Sequence, residues 1–415
     1  MDYVHYLKYY STHGIEDSMI ALFGNGKTTK AIAKRFKNCL IFDDHISKKQ
    51  VDEEGNILLP PSEFSNYESH VQVLSPSFPS SHDLLKVAKN YVSEYDFFAT
   101  DMPFSIWISG TNGKTTATQM CDFLLKKHGS QSGGNIGTPL AELNKNAPIW
   151  ILESSSYMLH YTKIATPDIY LLLPIKPDHL TWHGGFKDYE RAKLTPLARM
   201  NEGSIAILPE TYQDIPTQAY KITYHNEFDL AITLGIDIKR VTFQPPFLLD
   251  AVLALAAQKV LFGTLDYDLL NTFKTDVHKL EAFKDKQGRT WVNDSKGTNL
   301  DATLEAIKRY KNKNLLLILG GDDKGVDLTP LFDMLRPLNV TVFAIGSNTE
   351  KIVNFCHNIN KTVLACVYLE KAVMEIKKLH TQHTIALLSP AAASLDQFKS
   401  YEHRGDLFKK LVQEA

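Results

Sequence analysis

Short apolar runs that end in Gly, Ser or Pro recur along the chain, and helix-like segments follow them. The clearest runs are MIALFG (19–24), FSIWISG (104–110), IWILESS (149–155), LLLILGG (315–321), VTVFAIGS (340–347) and TIALLSP (384–390). Apolar runs of this length are typical of strands that are buried on both faces of a parallel sheet. Their alternation with helical segments indicates βα units, so the pattern predicts an α/β fold.

Two stretches interrupt this alternation and mark candidate domain boundaries. Residues 92–103 precede a fresh strand and glycine-rich loop, and residues 274–279 follow the apolar helical segment FLLDAVLALAAQKVLF at 247–262. The Pro- and Ser-rich residues 55–83 are predicted to form loops on the first domain. We predict three α/β domains, at 1–98, 99–276 and 277–415.

Length and composition are those of a multidomain globular protein. A chain of 415 residues is long enough for two or three domains, and 44% hydrophobic with 22% charged residues is ordinary for a folded protein. The 45 Lys and Arg against 47 Asp and Glu residues give a formal net charge of −2. Because such a chain lacks the positive field that holds nucleic acid, we expect no nucleic-acid partner.

Cysteine spacing and hydropathy bear on the compartment. The four cysteines are far apart, without a C-x-x-C pair, at positions 39, 121, 356 and 366. This spacing argues against a disulfide framework or a thiolate zinc site and is typical of a reducing compartment. The N-terminus shows no signal-peptide pattern, and no run approaches the roughly 18 apolar residues that span a bilayer. We expect a cytoplasmic protein with no membrane span.

The most specific motif lies between the strand at 104–109 and a helical segment. Its residues are Gly110, Thr111, Asn112, Gly113, Lys114, Thr115 and Thr116. In a phosphate-binding loop the glycines let backbone amides surround phosphate oxygens, Lys114 would reach the terminal phosphates, and Thr115 would ligate Mg²⁺. Ile108 stands where the full G-x-x-x-x-G-K-[ST] pattern has Gly, so this is a shortened variant. The alternative is a glycine-rich turn that only caps a helix.

A second glycine-rich loop, FGNGKTT, follows the strand at 19–24. It contains Gly24, Gly26, Lys27 and Thr28, and about 20 residues later the segment LIFDDH brings Asp43 and Asp44. In dinucleotide-binding folds a carboxylate at that distance meets a ribose hydroxyl. The loop therefore predicts a second phosphate site, and the alternative is a tight turn without a ligand.

Acidic and basic residues follow the next strands. Glu153 closes the strand IWIL, where a carboxylate can face Mg²⁺ or a reacting group; the alternative is a solvated glutamate beside a turn. Asp178 and His179 lie in a loop ahead of a helix that carries Lys193. A neutral imidazole beside carboxylates can ligate a divalent ion. A structural histidine and a surface lysine are the alternatives.

Three polar clusters follow strands in the last third of the chain, at 293–298, 320–325 and 389–394. Loops at the carboxyl ends of parallel strands meet at one sheet edge and commonly form a pocket there. Lysines, a threonine and a serine in these loops favour an anionic ligand that carries carboxylates. Turn chemistry alone is the alternative, because Asn, Asp, Gly and Ser are the usual turn residues.

Taken together, these motifs resemble the Mur ligase family of ATP-dependent amide-forming enzymes, and within it the D-glutamate-adding branch. The resemblance runs nearly the full length. Motifs fall in the family's order at GTNGKTT (110–116), GGNIGTPL (133–140), LESSSYML (152–159), PDHL (177–180), ERAKL (190–194), NDSKGTN (293–299), LGGDDKG (319–325) and LLSPAAASLDQFKSYEHRG (387–405). The last three are similar to the glutamate-adding branch in particular.

The resemblance implies a Rossmann-like N-terminal domain for the UDP moiety, a central P-loop ATPase domain and a Rossmann-like C-terminal domain for the amino acid. It implies addition of D-glutamate to UDP-N-acetylmuramoyl-L-alanine through an acyl phosphate, with release of ADP and phosphate, in cytoplasmic peptidoglycan precursor synthesis. ATP and Mg²⁺ are the implied cofactors, and the implied partners are small-molecule substrates only. We expect a monomer.

The resemblance also implies roles for individual residues. The implied catalytic residues are Lys114, His179, Lys193 and Lys296, of which Lys193 is the family's carbamylated lysine. The implied ATP contacts are residues 110–116, Lys279 and Asp294, and the implied metal ligands are Thr115, Glu153, His179 and carbamylated Lys193. The implied UDP-substrate contacts are Gly24, Gly26, Lys27, Thr28, Asp43, Asn135 and Ser155. The implied D-glutamate contacts are Thr298, Lys324, Ser394 and Tyr401.

The chain departs from the family pattern at several of these positions. Phe247 and Asp250 stand where the family has N-x-x-N, and Lys279 stands where it has Arg. A lysine keeps the charge but loses the bidentate fork. Tyr401 replaces the usual Phe, and Lys27 replaces a neutral residue.

Three rival interpretations remain at this level. Two are other Mur-type ligases, one that adds a different amino acid and one that polyglutamylates folate. The third is a nucleotide-binding module or switch that does not ligate. A switch needs no third-domain pocket, so the clusters that contain Asp294, Lys324 and Ser394 argue against it.

Overall fold

The computed structural model describes residues 19–135 and 137–414. These residues form three six-stranded sheets whose strands are connected by helices. They divide by contacts into two compact units. The first contains the described residues up to 273 except 244–246, and the second contains 244–246 and the residues from 274 onward. The predicted α/β fold class is confirmed, and the positions of the three domain boundaries stay a prediction.

The first sheet is parallel except at one edge, where β3 runs antiparallel to β4. In spatial order its strands are β3 (Gln50–Val51), β4 (Ile57–Leu59), β2 (Leu40–Phe42), β1 (Ile20–Phe23), β5 (Val71–Leu74) and β6 (Tyr91–Val92). Its helices are α1 (Lys27–Phe36), α2 (Leu84–Val87) and α3 (Glu94–Phe97). Strands β4 and β5 lie inside residues 55–83, so the prediction of loops there is wrong.

The second sheet is parallel throughout. In spatial order its strands are β12 (Tyr220–Tyr224), β11 (Ile205–Pro209), β10 (Ile169–Leu172), β7 (Phe104–Ser109), β9 (Ile149–Glu153) and β8 (Ser130–Gly134). Its helices are α4 (Lys114–Leu125), α5 (Ser156–Tyr161), α6 (Leu180–His183), α7 (Phe186–Leu194), α8 (Glu227–Leu234), α9 (Phe247–Phe262) and α10 (Tyr267–Asn271). Strands β7, β9 and β10 are neighbours, so the loops that follow them meet at one edge.

The third sheet makes up the second unit and has one antiparallel edge strand, β13. In spatial order its strands are β13 (Glu281–Lys284), β14 (Thr290–Asn293), β18 (Thr384–Leu388), β15 (Asn314–Gly320), β16 (Val340–Ile345) and β17 (Thr362–Val367). Its helices are α11 (Leu300–Tyr310), α12 (Thr329–Leu335), α13 (Thr349–Asn358), α14 (Leu369–Leu379) and α15 (Tyr401–Gln413). Short 3₁₀ helices elsewhere in the chain lie at Pro61–Asn66, Lys126–His128, Leu140–Glu142, Thr195–Arg199, Glu210–Tyr212 and Ile238–Arg240.

Helix α9 is apolar on every side because it lies within the core that packs on the second sheet. The helix is buried from Phe247 to Gln258 except at Leu249, and it packs against α4. A helix that is apolar all round is typical of a protein interior. Within residues 19–135 and 137–414, no helix combines the length and the apolar character needed to cross a membrane.

Helix α3 joins the first sheet to the second, and its residues Glu94 to Phe97 are all buried. Glu94 Oε1 accepts a hydrogen bond from Leu140 N at 2.8 Å, and the Tyr95 hydroxyl donates to Glu153 O at 3.1 Å. The Asp96 carboxylate accepts hydrogen bonds from three successive backbone amides, at 163, 164 and 165. Three of the four side chains of this short helix therefore hold different segments of the chain around the second sheet.

The buried Glu94 carboxyl predicts a pH-dependent stability. Burial raises its pKa to about 8, from an ordinary value of 4.5. The folded state therefore holds this proton through a range where the unfolded state has lost it, and the stability from this group falls as pH rises from about 5 to 8. We expect Glu94→Gln to gain about 4 kcal/mol relative to wild type between pH 5 and pH 9, because each pH unit between the two pKa values is worth about 1.4 kcal/mol.

Urea unfolding at pH 5, 7 and 9 measures this difference. The amide keeps an oxygen that can accept from Leu140 N and carries no charge at any pH. If the amide packs less well than the carboxyl, it lowers the free energy of unfolding by the same amount at every pH. This cost cancels, because the prediction concerns only how the difference between variant and wild type changes with pH. A free-energy difference that is the same at pH 5 and pH 9 would show that the Glu94 carboxyl does not titrate in this range.

Candidate functional site

The loop between β7 and α4 has the geometry of a phosphate-binding loop. Gly113 is the N-cap of α4 in the left-handed region, at φ +86°, and Gly110 has φ +137°. A Cβ on Gly110 would lie 2.4 Å from Leu173 Cβ, and a Cβ on Gly113 would lie 2.3 Å from Asp250 Oδ1. Both glycines are therefore required by space and by backbone conformation. The predicted order of strand, loop and helix is confirmed.

The remaining loop residues hold the loop or line its surface. Lys114 begins α4, and its Nζ donates to Thr111 O at 2.6 Å. The Thr111 hydroxyl is 2.9 Å from Lys176 O and 3.0 Å from the Tyr189 hydroxyl. Asn112 and Thr115 are half-buried, whereas Thr116 is buried. The loop is thus anchored through Thr111, and the backbone amides at the start of α4 are donors of the kind that bind an anion.

Lys193 lies beside this loop and is buried. It belongs to α7, and its Nζ donates to Gly110 O at 2.7 Å. Its exposed fraction is 1%. Burial holds the pKa of this amine well below its usual range, and the neighbouring Lys114 charge lowers it further. Burial therefore favours the neutral form of the Lys193 amine, and the surface alternative is excluded.

Glu153 closes β9 and faces the same edge of the sheet. The Asn135 side-chain amide donates to its Oε1 at 2.8 Å. Its Oε2 is buried and has no hydrogen-bond partner among the described residues. A buried carboxylate oxygen without a partner is costly unless a cation or donor completes it. This carboxylate has the chemistry of a Mg²⁺ ligand.

His179 lies in the loop between β10 and α6, in the left-handed region at φ +51°. Its Nδ1 is 2.7 Å from the Tyr157 hydroxyl, and its Nε2 is 3.6 Å from Asp178 Oδ2. Burial raises the pKa of Tyr157 to about 12, so its hydroxyl keeps its proton. Sequence reasoning missed Tyr157, although it is part of the LESSSYML motif.

The described side chains do not by themselves form a complete metal site. Across residues 19–135 and 137–414, no group of three or more His, Cys, Asp and Glu side chains is arranged to hold a metal ion. A bound Mg²⁺ would need further oxygen ligands beyond Glu153, which a nucleotide phosphate and a modified Lys193 would supply.

The glycine-rich loop of the first sheet also leads into a helix. Gly24 has φ +85°, and Gly26 is the N-cap of α1, which begins with exposed Lys27 and half-buried Thr28. Asp43 Oδ2 accepts a hydrogen bond from Asn25 N at 2.7 Å. The structure therefore brings Asp43 against the loop, as the spacing predicted.

Two predicted substrate contacts also support the protein's own structure. Asn135 is held by Glu153 through its side-chain amide and donates from its backbone N to Glu153 O at 2.9 Å. Ser155 is the N-cap of α5, and its Oγ accepts from Met158 N at 3.2 Å. Both lie next to the end of β9, on the same edge as the phosphate loop.

In the second unit the three polar clusters converge. Ala391 N donates to Gly297 O at 3.1 Å, and Asp322 and Ala393 exchange two backbone hydrogen bonds at 3.0 and 2.8 Å. The loops at 293–298, 389–394 and 320–325 are thus joined, since their strands β14, β18 and β15 are neighbours. The predicted convergence at one sheet edge is confirmed.

Asp294 is buried within this edge. Its Oδ2 accepts from Ser389 Oγ at 2.6 Å and its Oδ1 from Leu280 N at 3.1 Å. Burial raises its pKa to about 7, and Lys279 is among the charges that oppose this rise. Lys279 is therefore close enough to Asp294 for its positive charge to stabilise the carboxylate.

Lys296 is close to Tyr401. Its Nζ lies 5.8 Å from the Tyr401 ring centroid and 3.9 Å from Asp276 Oδ2. Thr298 is half-buried, Ser394 is buried, and Lys324 is exposed. The predicted amino-acid contacts thus lie on the three joined loops and at the start of α15.

Arg404 is a residue of this edge that sequence reasoning missed. It is fully buried, and its guanidinium donates to Ser295 Oγ at 3.0 Å, to Ser295 O at 2.8 Å and to Ala392 O at 3.2 Å. Ser295 Oγ in turn donates to Tyr401 O at 2.8 Å. Arg404 therefore fastens two of the loops to α15. Its position in YEHRG, beside Tyr401, was the available signal.

Comparisons with known proteins agree with this fold. Residues 108–244 match the Mur ligase middle domain family. The solved MurF ligase of Thermotoga maritima in complex with ADP superposes with a TM-score of 0.61 at 15% identity, covering 96% of each chain. The MurC of the same organism gives a TM-score of 0.56 at 14% identity, covering 95% of this chain and 98% of that one. These likenesses show a Mur-type three-domain fold.

Sequence relatives are much closer. The chain is 52% identical over 397 residues to the UDP-N-acetylmuramoylalanine--D-glutamate ligase of Campylobacter jejuni subsp. jejuni, covering 95% of this chain and 99% of that protein. It is 45% identical over 417 residues to the enzyme of the same name from Helicobacter pylori, with the same coverage. The chain therefore belongs to the Mur ligase family and is a ligase. Within the family, these relatives are the D-glutamate-adding enzymes, as the motifs indicated.

Proposed function

We propose that this protein joins D-glutamate to UDP-N-acetylmuramoyl-L-alanine at the expense of ATP, in cytoplasmic peptidoglycan precursor synthesis. The observation that carries the proposal is 52% identity, over 95% of the chain, to a relative of that name. The phosphate loop at 110–116 and the buried Lys193 beside it support the proposal. Ligation through an acyl phosphate needs a site that binds a triphosphate and offsets the negative charge of the phosphates and the carboxylate.

We propose that ATP binds to the loop at 110–116, with Lys114 on the terminal phosphates. In the described conformation the Lys114 ammonium is held by Thr111 O, within its own loop. Moving this ammonium onto a phosphate keeps it hydrogen-bonded and adds a charge interaction. Thr115, one residue later and half-buried, is the proposed hydroxyl ligand of Mg²⁺.

The residues near Lys193 fit a divalent cation. Glu153 offers a buried oxygen without a partner, and His179 Nε2 faces a carboxylate. When bound, Mg²⁺ would offset the negative charge of the phosphates and the substrate carboxylate. The Tyr157 hydroxyl lies 2.7 Å from His179 Nδ1, so Nε2, on the side of Asp178, is the nitrogen that we propose would ligate a metal.

We propose that Lys193 carries a carbamate. A neutral amine attacks the carbon of CO₂ with its lone pair, forms an N–C bond and releases one proton, so the lysine ends as a carboxylate. An ordinary lysine is protonated at neutral pH and lacks that lone pair. Burial keeps the Lys193 pKa low, which favours the reactive form. The carbamate would supply oxygen ligands that Glu153 alone does not.

The proposed reaction has two steps. An oxygen of the alanyl carboxylate attacks the γ-phosphorus of ATP, the bond to the β-phosphate oxygen breaks, and an acyl phosphate and ADP result. The amine of D-glutamate then attacks the acyl carbon, and the tetrahedral intermediate loses phosphate and a proton to give the amide. Lys114 offsets the repulsion between triphosphate and carboxylate in the first step.

We propose that the UDP moiety binds at the glycine-rich loop of the first sheet, through Gly24, Gly26, Lys27 and Thr28, with Asp43 toward the ribose. Asn135 and Ser155 are the proposed contacts of the sugar end. D-glutamate is proposed to bind at the edge of the third sheet, through Thr298, Lys324, Ser394 and Tyr401, with Lys296 at its reacting end. Two lysines there suit a ligand with two carboxylates.

Phosphate release from ATP in the presence of UDP-N-acetylmuramoyl-L-alanine tests the function. We expect release only when D-glutamate is added, and none above background with L-glutamate or without an amino acid. Mass spectrometry should find a product heavier than the UDP-substrate by one glutamyl residue. Release that ignores the amino acid, or that requires another one, would contradict the assignment to D-glutamate.

A further inference from the structure

Lys324 is held in an unusual backbone conformation while its side chain is left available. It lies in the loop after β15 at φ +52°, in the left-handed region that non-glycine residues rarely adopt. Its backbone N donates to Asp322 Oδ1 at 3.0 Å. Among the described residues its exposed ammonium makes no hydrogen bond or ion pair. The loop therefore presents a positive charge that the protein does not use itself.

Three aspartates lie near Lys324 along the chain, at 322, 323 and 327. Asp327 is satisfied by Thr329, whose backbone N and hydroxyl donate to Oδ1 at 2.9 and 2.6 Å. Asp323 lies directly before Lys324 in the chain, and its side chain is only 11% exposed. A largely buried carboxylate next to an unpaired ammonium would ordinarily pair with it.

Lys351 of α13 occupies Asp323 instead. The Lys351 Nζ donates to Asp323 Oδ2 at 2.8 Å and to Val326 O at 2.9 Å. Asn348 Nδ2 donates to the same carboxylate oxygen at 3.1 Å, while Gly325 N donates to Oδ1 at 2.9 Å. Burial would raise the pKa of Asp323, but these donors and the Lys351 charge outweigh it, and the pKa is lowered. Asp323 is thus a carboxylate whose charge and hydrogen-bonding sites are already in use.

We propose that Lys351 is a positioning residue for the amino-acid site: it holds Asp323 away from Lys324, so that the charge of Lys324 remains available to a substrate carboxylate. The inference rests on the proposed function, in which Lys324 binds D-glutamate. Asn348 supports the same arrangement from the other side, because its Oδ1 accepts from Gly321 N at 3.1 Å. In this arrangement, only Lys324 would contact the substrate.

Replacing Lys351 with methionine leaves Asp323 without its cation. We expect Asp323 to pair with Lys324 in this variant and the KM for D-glutamate to rise about tenfold, with the KM for ATP unchanged. Lys351→Arg keeps the positive charge and is expected to restore the KM for D-glutamate to within about threefold of wild type. Lys351 is half-exposed, so the variants should fold, and circular dichroism and a melting curve check this.

Lys361→Met is the matched control. Lys361 is also half-buried, and its Nζ also donates to a backbone carbonyl, Leu338 O at 2.6 Å. It precedes β17, at the edge of the sheet opposite to the loop that carries Lys324. We expect this variant to keep the wild-type KM for D-glutamate.

A double variant separates charge competition from a merely structural role. If Lys351 acts by occupying Asp323, then Lys351→Met with Asp323→Asn removes the competing charge, and the KM for D-glutamate should return to within about threefold of wild type. A double variant as impaired as Lys351→Met would overturn the proposal, and so would an unchanged KM in Lys351→Met alone. Wild type that shows no dependence on D-glutamate would instead contradict the proposed function, so the two failures are distinguishable.

Discussion

Lys114→Ala is expected to lower the D-glutamate-dependent release of phosphate by about 10³-fold or more. Lys114 is the first residue of α4, at the phosphate loop. Its ammonium would offset the negative charge that builds up on the phosphate oxygens as the γ-phosphoryl moves to a carboxylate. Water that replaces the ammonium offers no fixed positive charge, so the loss falls on kcat. Alanine is a good first residue for a helix, so α4 should form as in wild type.

A surface lysine near the other end of the same helix gives the control. Lys127 follows α4, and its Nζ is 3.4 Å from Asp266 Oδ2 on the surface. Lys127→Ala should keep the wild-type rate, because exposed ion pairs contribute little. Measured at saturating ATP and UDP-N-acetylmuramoyl-L-alanine, a Lys114→Ala rate within threefold of wild type would remove the phosphate loop from the mechanism.

The short apolar runs and the glycine-rich loops could be predicted from the sequence because their causes are local. The six runs named at the outset are all strands of the structure, and the loop at 110–116 joins a strand to a helix. A buried parallel strand must be apolar on both faces, and a left-handed turn such as the one at Gly113 favours glycine. Such constraints are visible within a few residues.

Short strands were not readable in the same way. Strands β4 and β5 have three and four residues and lie between Pro- and Ser-rich turns, so residues 55–83 were predicted as loops. Within a Pro- and Ser-rich segment, a run of three or four residues shows no periodicity that distinguishes it from a loop. These residues become strands because β4 pairs with β2 and β5 pairs with β1. Such pairing joins residues that are distant in the sequence, so the local pattern does not show it.

The burial of Lys193 was also missed, although the sequence carried a signal for it. The buried residues of α7 are Tyr189, Ala192 and Lys193, which lie three and four positions apart on one helix face. A lysine on the buried face is unusual and indicates a special role. Tyr157 and Arg404 also lie within motifs that the sequence shows, but their roles depend on partners far away in the chain, such as His179 and Ser295.

Lys193→Ala is expected to lower ligation at least about hundredfold and to be partly restored by a short carboxylate such as acetate. The substitution removes both the amine that would form a carbamate and the side chain that fills the buried space. A small carboxylate can enter that space and return the missing oxygen ligands. Ligation rates with and without acetate, at constant ionic strength, measure the restoration.

Lys193→Met separates lost chemistry from lost packing. Methionine fills nearly the same volume as the lysine stem, so the fold is kept, but it carries no amine and leaves no room for acetate. We expect this variant to be as inactive as Lys193→Ala and to gain nothing from acetate. Full activity of either variant without acetate would show that Lys193 has no part in the reaction.

Depleting CO₂ tests the carbamate in the unmodified protein. Burial and the Lys114 charge lower the pKa of the Lys193 amine and so favour its neutral form, and only this form takes up CO₂. Wild type in buffer freed of CO₂ should therefore lose activity over time and regain it when bicarbonate is added, whereas Lys193→Met should respond to neither. Wild-type activity that persists without CO₂, together with inactive Lys193 variants, would mean that the amine itself, through its bond to Gly110 O, shapes the phosphate loop.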